Sequence, residues 1–178
     1  MNIRRELRPG DLGAILAHHG RIYGSEYGLD SRFEAMVAES IAEAAARGFP
    51  REREGIWIVE DAGEHSGSLA LTDEGPAEAV VRWVLLDPRL RGRGLGRRLV
   101  DEAIELATHA GYTRVALTTF SELTTAARIY GEHGFEVVWE DRRPRWGRDA
   151  ITYQRYELDL TAAAALGPPD ALPAVAAE

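Results

Sequence analysis

The chain has 178 residues, a net charge of −8 and a sequence pI of about 5.2. That length suits one well-packed domain and is too short for two domains of ordinary size. The acidic balance disfavours a nucleic-acid partner, because neutralising a phosphate backbone requires an excess of basic surface. Cysteine is absent, which excludes disulfides, thiolate metal sites and a cysteine acyl-enzyme.

The start of the chain lacks the apolar segment of a signal peptide, and no window approaches the length of a membrane span. We therefore expect a cytoplasmic protein with no membrane partner. The five histidines lack metal-ligand spacing, so no metal is expected.

The first third of the chain predicts one strand followed by two helices. Residues 3–7 favour a short strand, and turn residues then precede a helix expected over 12–23. The glycines within residues 24–28 are expected to break that helix. A capping box that begins at Ser31 predicts a second helix over residues 31–46.

The remainder of the chain predicts strands that alternate with helices. Residues 55–60 and 67–72 are typical of a hairpin, and the continuous apolar run 79–86 is typical of a central strand. Helical spacing over residues 94–110 and 124–133 separates further strands at 113–119, 135–140 and 151–158. The order βααβββαβαββ predicts an α/β fold built on a mixed sheet over residues 1–160. The alanine- and proline-rich residues 161–178 predict a disordered tail.

A stretch rich in glycine and arginine, residues 91–98, lies between the predicted central strand and the next helix. Glycines let backbone N–H groups converge, the helix adds the positive end of its dipole, and arginines add charge. This context predicts a phosphate-binding loop. The chain has no lysine, which excludes a P-loop, and the spacing of Gly92, Gly94 and Gly96 fits a dinucleotide fingerprint poorly.

Two motifs resemble a known family. Arg91, Gly94 and Gly96, preceded by Asp87-Pro88, match the pattern Arg/Gln-x-x-Gly-x-Gly/Ala, and residues 126–135 are similar to Ala-x-x-Leu-Tyr-x-x-x-Gly-Phe. Over residues 55–160 the chain thus resembles the GNAT superfamily of acyl-CoA-dependent N-acyltransferases. Residues 117–120 and 146–149 are most similar to GNAT domains that stand alone or are fused to MarR-type regulators.

The resemblance implies a largely antiparallel mixed sheet with helices on both faces. It implies an N-acetyltransferase that transfers an acetyl group from acetyl-CoA to a primary amine by direct attack in a ternary complex. The acceptor would be a small-molecule or peptide amine. Thr118 and Leu123 stand where some relatives carry a basic glutamate and a cofactor-binding asparagine. An idle module that binds or senses acetyl-CoA is therefore the alternative.

The glycines and arginines predict that backbone N–H groups in the loop bind a pyrophosphate. The resemblance implies that backbone groups at the end of the preceding strand bind the pantetheine arm of the cofactor. Ser121 or Thr124 is expected to substitute for the missing asparagine. The candidate cofactor-binding residues are Val84, Leu85, Leu86, Arg91, Gly92, Arg93, Gly94, Leu95, Gly96, Arg97 and Thr124. Tyr130 matches the tyrosine that serves the family as general acid, where close placement must supply most of the effect.

The proton acceptor and the amine-binding residues are less defined by the sequence. Glu26 lies in the predicted break between two helices and is the first candidate base, with Asp149 second. Arg82 could bind a carboxylate or pair structurally, and the segment that holds Trp146 and Asp149 could fold over the acceptor. A homodimer is plausible from sheet edges and Trp139. A protein amino terminus, a lysine, a polyamine, an aminoglycoside and an amino acid all remain open as acceptors.

Overall fold

The computed structural model describes residues 1–161, so the predicted tail lies outside the described residues except for Thr161. No helix within this range is long and apolar enough to cross a membrane. The elements in chain order are β1 (Asn2–Arg4), α1 (Asp11–Tyr27), α2 (Ser31–Ala46), β2 (Gly55–Asp61), β3 (Glu64–Asp73), β4 (Glu78–Leu86), a 3-10 turn (Pro88–Leu90), α3 (Leu95–His109), β5 (Arg114–Phe120), α4 (Thr124–Glu132), β6 (Glu136–Arg145) and β7 (Arg148–Asp159).

The seven strands form one sheet in the order β1-β2-β3-β4-β5-β7-β6. Strands β4 and β5 run parallel, and every other neighbouring pair is antiparallel. This topology confirms the predicted α/β fold, its element order and its largely antiparallel mixed sheet.

Helices cover both faces of the sheet and create two cores. In β2, Trp57 and Val59 pack on the side of α3 and α4, whereas Ile56 and Ile58 pack on the side of α1 and α2. Successive strand residues point to opposite faces, so a strand covered on both sides needs apolar residues at every position. That requirement explains the continuous apolar run that marked β4 in the sequence.

Helix α1 runs through the predicted break, which was therefore placed wrongly. Gly24 is helical, and the helix ends only at Gly28, whose φ of 67° lies in the left-handed region. A glycine inside a helix costs about 1 kcal/mol relative to alanine. The buried contacts of Tyr23 and Tyr27 with Phe120, at centroid distances of 5.9 and 5.3 Å, compensate for that cost.

The start of α2 also differs from the prediction in one detail. Asp30, rather than Ser31, is the capping residue, and its carboxylate accepts a hydrogen bond from the backbone N–H of Arg32. A carboxylate at this position satisfies a helix N–H that has no acceptor within the helix.

A bulge in β4 reverses which face its side chains occupy. Trp83 has a φ of 52°, and Trp83 and Val84 together oppose the single residue Leu69 of β3. The extra residue shifts the alternation by one. Val81 therefore packs in the core on the side of α3, while Trp83 and Leu85 pack on the side of α1 and α2.

The two parallel strands separate beyond this bulge. Their pairing joins Glu78–Val81 of β4 to residues 114–117 of β5 and stops there. Strand β5 continues to Phe120 but pairs only with β7 over that stretch. The separation leaves a gap in the middle of the sheet.

Strands β6 and β7 extend further than predicted and form a long hairpin. Arg145 pairs with Arg148 across a two-residue turn in which Trp146 and Gly147 have φ values of 48° and 85°. Positive φ at both turn positions suits the right-handed twist of paired strands. Residues 145–149 are thus the tip of a hairpin and not an independent loop.

Candidate functional site

A cavity of about 340 Å³ occupies the gap between β4 and β5. Helices α1 and α2 line one side of it, and α4 with the start of α3 lines the other. Openings between parallel strands at their carboxyl ends are common ligand sites in α/β sheets. This cavity is therefore the natural place to test the predicted site residues.

The glycine loop has the conformation that the sequence predicts. Gly92 and Gly94 have φ values of 73° and 78°, and Gly94 caps α3 without a side-chain hydrogen bond. The first helical bond runs from the Arg98 N–H to the Gly94 carbonyl, so the N–H groups before Arg98 have no acceptor within the helix. These donors, aligned with the helix dipole, make the loop a suitable anion cradle.

Gly96 lies close to α4. A Cβ atom at this position would lie 3.3 Å from Cδ1 of Ile129, so the Ile129 side chain would have to shift by a few tenths of an ångström. Gly96 lines the cavity, as does Arg91. The loop and the cavity are therefore continuous.

The arginines of the loop differ in how they are engaged. Nε of Arg91 donates to the Leu86 carbonyl at 3.1 Å, and its Nη1 donates to Glu26 at 2.8 Å. Arg97 pairs with Glu132. Arg93 is exposed and forms no ion pair with any residue in the described range 1–161.

The end of β4 contributes the third part of the predicted cofactor site. Val84, Leu85 and Leu86 all line the cavity in the stretch that β5 does not pair with. The Ser68 hydroxyl donates to the Trp83 carbonyl at 2.6 Å, which holds the bulge in place. Main-chain groups at this edge are thus kept in an extended conformation beside the cavity.

Tyr130 lies on α4, and its side chain forms part of the cavity wall. Its side chain is only 4% exposed, and its ring packs against Phe135 and Tyr156 at centroid distances of 5.8 and 5.9 Å. The hydroxyl makes no hydrogen bond with a residue in the described part of the chain. Burial raises the pKa of the Tyr130 hydroxyl above its usual value, so the group remains a proton donor at neutral pH.

The start of α4 has no side-chain cap. Leu123 occupies the capping position and has no side chain that could accept a hydrogen bond, as expected where it replaces the family's asparagine. Leu123 and Thr124 both line the cavity. Thr118, at the position of the missing glutamate, accepts a hydrogen bond from the Tyr153 hydroxyl at 2.8 Å.

Glu26 lies in the last turn of α1, near the phosphate loop. Its carboxylate accepts the 2.8 Å hydrogen bond from Arg91, so the structure brings together the candidate base and the loop arginine. The longer helix explains this position, because residue 26 belongs to the last turn of α1 instead of lying in a separate break.

The three candidate acceptor residues lie in different environments. Arg82 lines the cavity, but its guanidinium donates to Thr72 at 3.0 Å and to Glu74 at 2.9 Å. Trp146 is 8% exposed and packs in the core. Asp149 is exposed and lies outside the set of described residues that line the cavity.

Aromatic side chains on the other wall of the cavity were not identified from the sequence as site residues. They come from α1, α2, β5 and β7 and comprise Tyr23, Tyr27, Phe33, Phe120 and Tyr153. The one available signal was the spacing of the two α1 tyrosines, which are a helical turn apart.

His19 also lines the cavity, although it was not among the candidate site residues named from the sequence. Its ring stacks on Tyr23 at 5.6 Å, and its Nδ1 lies 2.8 Å from the Ile15 carbonyl. A carbonyl only accepts, so Nδ1 carries the proton. Burial lowers the pKa of His19 to about 4, which keeps the imidazole neutral at physiological pH.

Comparison with known proteins connects this geometry to a family. The chain matches the family model of the Acetyltransferase (GNAT) family over residues 20–135, which is more than half of its length. Mycothiol acetyltransferase from Beutenbergia cavernae is 28% identical over 162 residues, covering 77% of this chain and 54% of the relative. The uncharacterized N-acetyltransferase YjgM from Escherichia coli is 29% identical over 121 residues, covering 66% of this chain and 72% of the relative.

Solved structures agree with this match at the level of the fold. The yncA acetyltransferase from Salmonella typhimurium with its cofactor acetyl-CoA superposes with a TM-score of 0.69 at 19% identity, covering 98% of this chain and 99% of that one. An acetyltransferase from Streptococcus agalactiae gives a TM-score of 0.69 at 21% identity, covering 89% and 98%. The chain spans only about half the length of the mycothiol acetyltransferase that it matches.

Proposed function

Because the chain belongs to the GNAT acetyltransferase family and is an acyltransferase, we propose that it transfers an acetyl group from acetyl-CoA to a primary amine. The transfer proceeds by direct attack in a ternary complex. The observation that carries the proposal is a single cavity whose lining includes Gly96 and Arg91 at one end and Tyr130 in its wall. The acceptor is a small-molecule or peptide amine.

The residues present fit acetyl-CoA. Main-chain N–H groups of residues 92–97, with Arg91, Arg93 and Arg97, would hold the diphosphate, and residues 84–86 with Thr124 would flank the pantetheine arm. When bound, acetyl-CoA supplies the thioester from which the acetyl group is taken.

Tyr130 supplies the proton that the departing thiolate needs. Its hydroxyl faces the cavity without a hydrogen-bond partner among the described residues, and burial keeps it protonated. A positioned general acid contributes roughly 10²–10⁴-fold to a rate. The free hydroxyl also favours an active enzyme over an idle acetyl-CoA-binding module, since a purely packed tyrosine would not need it.

Glu26 is proposed to accept the proton that the amine loses, directly or through water. Its ion pair with Arg91 must open first. A diphosphate bound in the loop competes for the same guanidinium, so cofactor binding would release the carboxylate when it is needed. Glu26 and Asp149 are both exposed and lie outside the described residues that line the cavity. Glu26 bonds Arg91, which does line the cavity, so Asp149, the second candidate base, has less support.

Trp146 and Arg82, two further residues predicted to bind the acceptor, are proposed to stabilise the site. Trp146 packs against Phe33 at 5.2 Å and against Tyr153 at 5.4 Å, so it stabilises the cavity wall from behind. Arg82 holds the edge of β4 through Thr72 and Glu74. Exposed Val138 and Trp139 on the edge strand β6 support a homodimer as an additional proposal.

The replacement Tyr130→Phe tests the proposal, because it keeps the ring and deletes the proton. We expect kcat to fall by roughly 10²-fold or more with little change in KM for acetyl-CoA. Thiol release with a panel of primary amines measures both constants. Tyr156→Phe is the matched control, since it removes a hydroxyl from the adjoining ring, which bonds Gln154 instead of facing the cavity. Unchanged turnover of Tyr130→Phe would exclude the acid role.

A further inference from the structure

The acceptor side of the cavity is a connected set of aromatic rings, which we call the aromatic cleft: Tyr23, Tyr27, Phe33, Phe120 and Tyr153. Tyr23 lies 4.8 Å from Phe33, and Tyr27 meets Phe120 edge-on at 5.3 Å. All five side chains line the cavity. Rings in such tilted and edge-to-face arrangements stabilise one another and also present flat apolar faces to a ligand.

The cleft is held in shape by the core behind it. Trp146 contacts Phe33, Phe120 and Tyr153 from the side away from the cavity, at 5.2, 6.4 and 5.4 Å. Met36 and Val37 of α2 extend the apolar wall. Side chains fixed by packing lose little further entropy when a ligand binds, so the cleft is preorganised for an apolar guest.

Charged groups at the cavity are already paired within the protein. Glu122 is the one carboxylate among the described residues that line the cavity, and it accepts a 2.8 Å hydrogen bond from Arg148. The two lining arginines, Arg82 and Arg91, are bonded to Glu74 and Glu26. Among the described residues that line the cavity, a polycation would therefore find no unpaired carboxylate, and a carboxylate ligand would have to break an existing ion pair.

From these observations we propose that the acceptor is an arylalkylamine, a primary amine joined by a short chain to an aromatic ring. The ring packs against Tyr27 and Tyr153, the two half-buried rings of the cleft, while the amino group extends towards Tyr130 across the cavity. A cationic amine on its way in is stabilised by the ring faces. This assignment rests on the proposed function and specifies its substrate class.

A matched panel of amines tests the assignment: 2-phenylethylamine, hexylamine, spermidine and glutamate, each with acetyl-CoA and the full chain. We expect kcat/KM for 2-phenylethylamine to exceed that for spermidine and glutamate by roughly tenfold or more, and to exceed that for hexylamine by a smaller factor. Equal or better turnover of spermidine or glutamate overturns the assignment.

Two variants test whether the aromatic cleft, and not another part of the molecule, selects the acceptor. Met36→Glu adds a carboxylate to the cleft wall and should lower kcat/KM for 2-phenylethylamine while raising it for spermidine. Ala42→Glu adds the same charge at an exposed position of the same helix, α2, and should change neither. A Met36→Glu variant whose ranking of amines stays unaltered contradicts the cleft as the acceptor site.

Direct binding distinguishes a failure of this inference from a failure of the proposed function. Calorimetry of 2-phenylethylamine and spermidine against the protein saturated with coenzyme A reports recognition without turnover. Preferential binding of 2-phenylethylamine with no thiol release supports the cleft and overturns the catalytic proposal. Turnover of amines without preference for an aromatic ring leaves the catalytic proposal standing and overturns the cleft assignment.

Discussion

The glycine loop and the aromatic cleft lie at opposite ends of one cavity and are built in opposite ways. The loop is a contiguous, exposed stretch, residues 91–98, whose binding groups are main-chain N–H donors. The cleft is buried or half-buried, apolar and assembled from four elements, α1, α2, β5 and β7. Recognition by the main chain is encoded locally, whereas recognition by side chains exists only once the fold has brought distant segments together.

This difference matches the two partners in the proposed reaction. A diphosphate needs N–H donors and positive charge, which a short loop before a helix supplies. The acceptor needs a shaped surface, which only packed side chains from several elements provide. The loop can therefore be compared directly with a family pattern, while the cleft must be characterised in the folded protein.

The largest effect is expected from Gly94→Val, which attacks the loop alone. A β-branched residue at a φ of 78° is strained, so the loop must move and its N–H groups lose their alignment. We expect acetyl-CoA affinity to fall by about 100-fold or more, because charge-assisted hydrogen bonds to the diphosphate are lost together. Calorimetry with acetyl-CoA measures this affinity.

Gly111→Val is the control for backbone strain. Gly111 has the same φ of 78° after the end of α3 and likewise has no neighbouring atom within 4 Å of a Cβ position. Both variants should lose similar stability, and only Gly94→Val should lose affinity. Equal affinity losses would mean that strain, and not the cradle, explains the effect.

Acid pH is expected to destabilise the fold in part through His19, which lines the cavity. The pKa of His19 is lowered from 6.5 to about 4 by burial, so the unfolded chain binds this proton more readily than the folded one. The contribution of neutral, buried His19 to the free energy of unfolding is fully present above pH 6.5. The free energy of unfolding falls by up to roughly 3 kcal/mol as the pH falls towards 4. Denaturant unfolding at pH 7 and pH 4 measures the loss, which His19→Phe should reduce.

His109→Phe provides the matched control for that experiment. Nδ1 of His109 bonds the carbonyl four residues earlier at 2.7 Å, as His19 does, but His109 is exposed on α3. The acid sensitivity of this variant should equal that of the unmodified chain. If His19→Phe loses as much stability at pH 4 as the unmodified chain, burial of this imidazole does not explain the acid sensitivity.

The smallest effect on acetyl-CoA affinity is expected at Glu26, which bonds the loop residue Arg91. Glu26→Gln weakens the partly exposed ion pair with Arg91, and such pairs contribute about 0.2–1 kcal/mol. Acetyl-CoA affinity should rise up to about fivefold, because Arg91 becomes free for the diphosphate. If Glu26 is the base, the pH profile of kcat/KM should change as well.

Glu122→Gln controls for loss of a carboxylate at the same cavity. Glu122 pairs with Arg148, so its replacement should leave acetyl-CoA affinity unchanged. An unaltered pH profile in Glu26→Gln excludes Glu26 as the base, and an unaltered affinity excludes competition for Arg91.

Most of the fold was predictable because its signals are local. Helical spacing in α3 and the apolar runs of β2 and β4 predict elements within a few residues of the observed bounds. The errors occur where tertiary contacts decide. Gly24 stays helical because the aromatic contacts of its neighbours hold α1, and the hairpin of β6 and β7 extends through charged residues because cross-strand pairing continues to Arg145.

The candidate site was predictable only in its local part. Gly96 of the loop and Tyr130 belong to short motifs, and both line the cavity. The bulge at Trp83 leaves no mark in an apolar run, yet it sets which side chains of β4 face the cleft. The ion pair between Glu26 and Arg91 joins residues 65 positions apart, and no spacing rule anticipates it.

A crystal structure with acetyl-CoA bound tests most directly whether one cavity joins the glycine loop to the acyl-transfer site. We expect the diphosphate to lie on the N–H groups of residues 92–97 and the pantetheine arm to lie between β4 and β5. We expect the thioester to lie within hydrogen-bonding reach of the Tyr130 hydroxyl. Electron density that places the diphosphate away from the loop, or the thioester outside the cavity, would contradict it.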